Sequence, residues 1–387
     1  MFPKITTSDW ENLVKKQLKT EDIYPQLTKE NLEGIVVKPY YHNHQQYFPT
    51  LPKIEESTQL VSNYLEDSED EIYAYLLNNN VENLTDKSIY IANKDLAEHI
   101  KIEDDNNYYA LVDVLNENTA SIDEVLAKEL LSKGLQKSIC VDIAFLQNAG
   151  ASIIQQLGYA MAKIKELVEN FGIEVMDKII IKTAIGGNYF FEIAKIRAFK
   201  ILFYQLSKEL GIASIPYIFA ETSHRNKSVF DEENNLIRST LELAAAMIGG
   251  ADVVYSHNYK INNPSDLSGE ISFKQQIVLA YESIINVFED AANGSYFVED
   301  ITQQMAEKSW QLLVEIEEEG GYIELLKTGK IQNNIYQHAT KEQQWVVDGK
   351  IKLIGVNMFP KLETTKSIDQ LYNSNEIKEV RWSEMYE

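Results

Sequence analysis

The chain has 387 residues, 44% of them hydrophobic, and 59 acidic against 36 basic residues for a net charge of −23. This length accommodates one large domain with extensions, or two domains, around a sizeable core. The charge argues against a nucleic acid or an anionic membrane as partner, since both are bound through a basic face. The acidic residues are spread along the chain, and the small clusters at Glu66–Glu71 and Glu315–Glu319 read as solvated surface. The single cysteine, Cys140, lies in an apolar run, which excludes a disulfide framework, reads as a small core residue and fits a reducing, cytoplasmic setting. No apolar run approaches the ~18 residues of a membrane span, and the N-terminus lacks a basic-then-apolar signal pattern.

Trp10–Leu18 is predicted as a short amphipathic helix with Thr7 or Ser8 as its N-cap. Thr20–Tyr41, with Pro25 and Pro39 and little periodicity, reads as an extended arm with a candidate strand at Glu33–Val37. The turn-rich Tyr41–Pro52 ends the arm. Its His42 and His44 have the look of a metal pair, but without further ligands nearby they read as loop residues.

From about residue 55, helical stretches alternate with short β-branched or aromatic runs. The predicted strands are Glu71–Tyr75, Ser88–Ala92, Tyr109–Asp113, Ser138–Ile143, Lys178–Ile181, Tyr217–Ala220 and Asp252–Tyr255. The predicted helices include Ser152–Phe171, Tyr189–Leu210, Asn235–Ile248, Ile271–Phe288 and Ile301–Glu319, with Gly211 and the Gly320-Gly321 pair as C-cap signals. Ile351–Val356 is the last predicted strand, and Lys361–Glu387 reads as a polar linker. Repeated strand–helix alternation argues for a parallel sheet, and the number of units suits a closed (β/α)₈ TIM barrel better than an open sheet. No G-x-G-x-x-G opens a helix after the first strand, and Gly186-Gly187 reads as a loop pair. The expected organisation is an arm over residues 1–45, a barrel over 55–360 and a linker over 361–387.

Chemistry in such folds sits where strands end. Three strand ends carry polar residues: Gln147-Asn148, the run Glu221-Thr222-Ser223-His224-Arg225, and Ser256-His257-Asn258. His224 with Glu221, or His257 with Asp252, has the composition of an acid–base pair. The same residues also serve as ordinary loop hydrogen-bonders. No metalloprotease, zinc-thiolate, nucleophile-elbow or phosphate-loop motif occurs.

Glu33-Gly34-Ile35 followed by Pro39-Tyr40-Tyr41, and the run Glu192-Ile193-Ala194-Lys195-Ile196-Arg197-Ala198, resemble the arm and one helix of the methylmalonyl-CoA mutase family. Thr222-Ser223 with Asn234-Asn235-Leu236-Ile237-Arg238-Ser239-Thr240, then Gly249-Gly250-Ala251-Asp252, continue the series. Glu282-Ser283, Asp290, Gly294-Ser295-Tyr296, Glu299, Thr302, Ala306-Glu307-Lys308-Ser309-Trp310, Gly320-Gly321 and Gly355-Val356-Asn357 complete it.

The resemblance implies a TIM barrel that takes an acyl-CoA along its axis, and an adenosylcobalamin-dependent interconversion of methylmalonyl-CoA and succinyl-CoA. It also implies departures. Aligned on Ala149-Gly150-Ala151, Ala144 and Phe145 stand where the catalytic subunits carry tyrosine and histidine, and His224-Arg225 replace a glycine–tryptophan pair. Tyr47–Tyr75 has no counterpart of the glycine- and arginine-rich segment that begins the CoA channel, and the D-x-H-x-x-G loop of the cobalamin domain is not found. Phenylalanine cannot donate a hydrogen bond to a thioester carbonyl, and bulky side chains would fill the axis. The pattern is therefore similar to the small, non-catalytic subunit of the heterodimeric enzymes, which pairs with a large subunit that binds cobalamin and substrate. On that reading this chain has no catalytic residue and holds no cofactor or metal. Ala144, Phe145, Gln147, Asn148, Thr222, Ser223, His224, Arg225 and His257 mark a vestigial mouth, and the arm wraps the large subunit. Arg381…Tyr386-Glu387 resembles that subunit's link to a degenerate C-terminal domain. The alternative is an independent enzyme on a repurposed barrel, using His224 and His257 with Glu221 and Asp252.

Overall fold

The computed structural model describes residues 5–41, 50–63, 74–78, 87–100 and 107–387. Eight parallel strands form one sheet: β1 Gln59–Asn63, β2 Ala74–Leu77, β3 Ser88–Ile91, β4 Tyr108–Ala110, β5 Ile139–Asp142, β6 Ile179–Ile185, β7 Tyr217–Thr222 and β8 Val253–Tyr255. Hydrogen-bonded neighbours run β4-β3-β2-β1-β8-β7-β6-β5. The remaining gap is bridged where Tyr109 pairs with Lys137 and Asp113 with Cys140, both parallel, and Cys140 N donates to Val112 O at 3.0 Å. The fold is thus a (β/α)₈ TIM barrel, as the strand–helix alternation led one to expect.

Alternation along the strands decides what fills it, because successive side chains point to opposite faces. Val61, Leu76, Tyr90, Tyr109, Cys140, Ile180, Tyr217, Phe219, Val253 and Tyr255 form one buried cluster inside the barrel. The larger core cluster lies between the sheet and the helices. Ile153–Phe171 and Tyr189–Glu209 follow β5 and β6, and Tyr296–Glu318 packs against both. Ser152 opens the first of these helices with a reciprocal capping box to Gln155.

Several elements differ from the sequence reading. β1 escaped it because only Leu60 and Val61 of its five residues are apolar and buried, too short a signal to separate from loop. A small antiparallel pair, Leu115–Asn116 with Ser121–Ile122, also went unread. The helix expected over 271–288 runs from Asp266 to Ile277, continues as a π turn to Glu282, and stops where Ile284 takes φ 55°. The strand expected at Ile351–Val356 is a turn: Asn357 Oδ1 accepts from Leu353 N at 2.7 Å, and Gly355 has φ 82°. Glu33–Val37 forms only a bridge between Lys29 and Val37, because Asn31 clasps the Ile35 backbone with both ends of its amide and Gly34 turns with φ 64°. Residues 361–387, read as a linker, pack against the barrel with Leu371, Tyr372, Val380, Met385 and Tyr386 buried.

Part of the arm lies on its own barrel. Val36 exchanges two hydrogen bonds with the Gln304 side chain, Lys38 pairs with Asp300 at 3.1 Å, and Tyr41 meets Phe297. Glu33 Oε2 accepts from Ile154 N at 3.3 Å, placing a carboxylate at a helix N-terminus. The Thr7–Leu18 helix, in contrast, buries no residue. His42 and His44 lie outside the described residues. Among the described residues no helix is long and apolar enough to cross a membrane.

Candidate functional site at the barrel mouth

The same alternation that stacks tyrosines inside the barrel places charges at its C-terminal rim. Two residues beyond Cys140, Ile180, Phe219 and Tyr255 stand Asp142, Lys182, Glu221 and His257. Lys182 Nζ lies 3.1 Å from Asp142 Oδ2 and 3.3 Å from Glu221 Oε1, and Glu221 Oε2 lies 3.4 Å from His257 Nε2. Burial raises the Glu221 carboxyl, but Lys182 and then His257 outweigh it and hold it down at about 2. Burial raises the Asp142 carboxyl, with Lys182 opposing. Next to this row, the fully buried Lys163 Nζ donates to Asp113 Oδ2 at 2.6 Å and Glu117 Oε1 at 2.5 Å. Burial opposes its charge, yet the two carboxylates hold its pKa up.

His224 meets His257 with ring centroids 4.2 Å apart and the ring planes tilted by 42°. Burial, and after it the neighbouring His257, push His224 down to about 3, so it is neutral at pH 7. A carboxylate near 2 and an imidazole near 3 are both far from the ~7 that suits a general acid or base at neutral pH. Asp252 is not part of the mouth. It stands at the opposite end of β8, where its carboxylate accepts from Ile54 N at 2.5 Å and Ile218 N at 2.8 Å. The pairing of His257 with Asp252 is therefore corrected to His257 facing Glu221.

The other expected positions do gather here. Ala144 is buried, and its amide donates to Asp142 Oδ1 at 2.9 Å. Phe145 is half-buried, its ring centroid 5.9 Å from Lys163 Nζ. Gln147 Oε1 accepts from the buried Lys195 Nζ at 2.5 Å, and Lys195 also pairs with Glu192 at 2.6 Å. Asn148 Oδ1 accepts from Ser223 Oγ at 2.9 Å and from His224 N at 3.0 Å, joining the ends of β5 and β7. Thr222 Oγ1 accepts from His257 N at 3.0 Å, tying β7 to β8. Arg225 is 3% exposed and fully engaged: two bonds to Glu342 Oε2 at 2.9 and 2.7 Å, one to Tyr372 OH at 2.9 Å and one to Val380 O at 2.5 Å. A Cβ at Gly150 would sit 2.6 Å from Arg225 Nη2, so the glycine leaves room for the guanidinium.

Sequence reasoning missed Asp113, Glu117, Asp142, Lys163, Lys182, Glu342 and Glu379. The strand-end residues were detectable as the next inward position after each apolar strand residue; the helix and tail residues had no local signal. Over the mouth, Glu379, Val380, Arg381 and Glu384 face Asn148, His224 and Arg225 across a cleft of about 310 Å³. Below it the axis is closed by stacked rings: Tyr90 on Tyr109 at 4.7 Å and Tyr109 on Tyr217 at 5.3 Å. Among the described residues no cluster of three or more His, Cys, Asp or Glu side chains has the arrangement to hold a metal.

A family model described as methylmalonyl-CoA mutase matches residues 116–387. The methylmalonyl-CoA mutase small subunit of Porphyromonas gingivalis is 33% identical over 234 residues, covering 57% of this chain and 38% of its own. The methylmalonyl-CoA mutase of Rhizobium meliloti is 30% identical over 268 residues, covering 66% of this chain and 37% of its own. The large subunit of the Porphyromonas gingivalis enzyme is 29% identical over 246 residues, covering 60% of this chain and 34% of its own. The chain thus spans less than half the length of the curated relatives it matches.

Proposed function

The chain belongs to the methylmalonyl-CoA mutase family, and on that premise we propose that it is the small, non-catalytic subunit of a two-subunit mutase. Its partner is a large subunit that carries adenosylcobalamin and performs the methylmalonyl-CoA/succinyl-CoA interconversion in the cytoplasm. The observation that carries this reading is the filled barrel. Tyr90, Tyr217 and Phe219 are at most 2% exposed, and Tyr90 stacks on Tyr109 and Tyr109 on Tyr217, with Phe219 tilted against Tyr90, across the axis where a thioester would have to enter. Phe145 adds to it by removing a donor at the strand end.

The residues present do not fit a corrin cofactor. The cleft of about 310 Å³ between the tail and the mouth is at the low end of the ~300–1,000 Å³ that holds drug-sized ligands, and a corrin with its adenosyl arm is larger than these. The titration state of His224 and Glu221 also weighs against a self-sufficient acid–base enzyme. In this proposal the unburied Thr7–Leu18 helix of the arm reaches the partner, with Leu13 55% exposed.

The test is reconstitution. The purified chain is titrated with adenosylcobalamin, and mutase turnover is measured for this chain alone, for the large subunit alone and for both together. The proposal expects no saturable cofactor binding by this chain and full turnover only with both. Micromolar adenosylcobalamin binding, or turnover by the isolated chain, overturns it.

A further inference from the structure

Residues 379–387 cross the barrel mouth, held by polar ties and by the burial of Val380, Ser383, Met385 and Tyr386. Val380 N donates to Asn148 O at 3.1 Å, and Arg225 Nη1 donates back to Val380 O at 2.5 Å. Trp382 N donates to Arg225 O at 2.9 Å, and its indole Nε1 to Glu342 Oε2 at 3.1 Å. Ser383 Oγ donates to Lys227 O at 2.9 Å. Asn148 Nδ2 reaches Glu379 Oε1 at 3.4 Å. Arg225 is the common element. It grips Val380 O with its side chain, Trp382 N with its carbonyl, and Tyr372 OH with the same Nη1, while Glu342 fixes its other face.

The segment leading into this crossing is built differently. None of residues 373–379 is buried, and Asn373, Asn375, Glu376, Lys378 and Glu379 are exposed. A crossing segment with four of its nine residues buried and an exposed polar run before it opens at less cost than a core strand buried along nearly its whole length. β6 is such a strand, with six of its seven residues buried. Beneath the crossing lies the cleft that contains His224, half-buried and in tilted ring contact with His257.

We propose that Glu379–Glu387 is a strap latched over the barrel mouth by Arg225, and that its local opening, independent of barrel unfolding, controls access to the cleft holding His224. The inference does not rest on the subunit reading, because the strap covers the mouth whatever the barrel does. It gives the mouth a closed and an open state.

The test uses the full 387-residue chain. Amide exchange read by mass spectrometry compares the strap peptide with a peptide covering β6, and diethyl pyrocarbonate labelling reads His224. In the unaltered chain the strap amides exchange faster than those of β6 but remain protected relative to an unstructured peptide. Replacing Arg225 risks the fold, so the latch is weakened at its far end with Ser383→Ala and Trp382→Ala together. Strap exchange and His224 labelling are then expected to rise about tenfold, with β6 unchanged. The proposal is overturned if strap and β6 exchange at one common rate in the unaltered chain. It is equally overturned if His224 labelling is the same with and without the latch.

Discussion

The phenolic oxygens of Tyr90 and Tyr217 meet at 2.8 Å inside the barrel. The contact links β3 to β7 across the axis, and Tyr217 OH donates onward to Glu55 Oε1 at 2.7 Å. Burial raises the pKa of both phenols, so both are neutral donors. Tyr90→Phe removes the hydroxyl that meets both Tyr217 OH and Gln59 Oε1 in a packed interior and is expected to cost about 1–2 kcal/mol. Tyr90→Ala leaves a ring-sized cavity and is expected to cost about 3–5 kcal/mol. Urea unfolding checks both, and equal costs for the two variants would contradict the packing role.

Lys163 is completely buried between Asp113 and Glu117. Lys163→Met leaves two carboxylates facing each other without a counter-charge, a loss expected near 3–5 kcal/mol. Adding Asp113→Asn and Glu117→Gln removes the stranded charge and is expected to recover most of that stability. The unfolding midpoints of the single and triple variants decide the matter.

The mouth makes stability depend on pH with a defined sign. His224 falls from the ordinary 6.5 to about 3 on folding. Between these values the unfolded chain binds a proton that the folded chain does not, so stability falls as pH drops from 6.5 toward 3. Glu221, depressed from 4.5 to about 2, adds a second loss as pH falls through that lower window. His224→Gln is expected to flatten the decline between pH 6.5 and 4.5, measured as urea midpoint against pH, and to leave only the Glu221 loss below 4.5. An unchanged slope in the upper window would show that His224 binds protons equally in the folded and unfolded chain, contradicting the prediction.

Phe145→His restores a hydrogen-bond donor at the end of β5 but leaves Tyr90, Tyr109 and Tyr217 stacked across the axis. The variant is expected to show no mutase turnover with added adenosylcobalamin and methylmalonyl-CoA, and no gain in turnover when paired with a large subunit. Product analysis of the isolated variant checks this; measurable succinyl-CoA would mean that the filled axis is not what excludes the substrate.

Local patterns made much of the fold legible. Ser152–Phe171 and Tyr189–Leu210 stand within a residue or two of their predicted bounds, since a 3.6-residue apolar period with a cap at one end needs no distant information. Phe145 and Asn148 were placed at a strand end by the turn from apolar to polar residues at Gln147. β1 was not legible, since two apolar residues carry no period.

By itself the sequence determined the class of fold and the strand ends where a mouth would form, because both depend on residue type and short-range spacing. Only the tertiary structure decided which charges meet. Lys163 finds Asp113 50 positions away, Glu221 faces His257 rather than Asp252, and Arg225 holds a tail segment 155 positions downstream. The Glu221–His257 pairing follows from barrel closure and strand register, which set which inward-facing residues share a layer, while Lys163 and Arg225 are placed by the packing of a helix and of residues 361–387 on the barrel. Register is fixed by the packing of all eight strands together and is written in no single stretch of the chain.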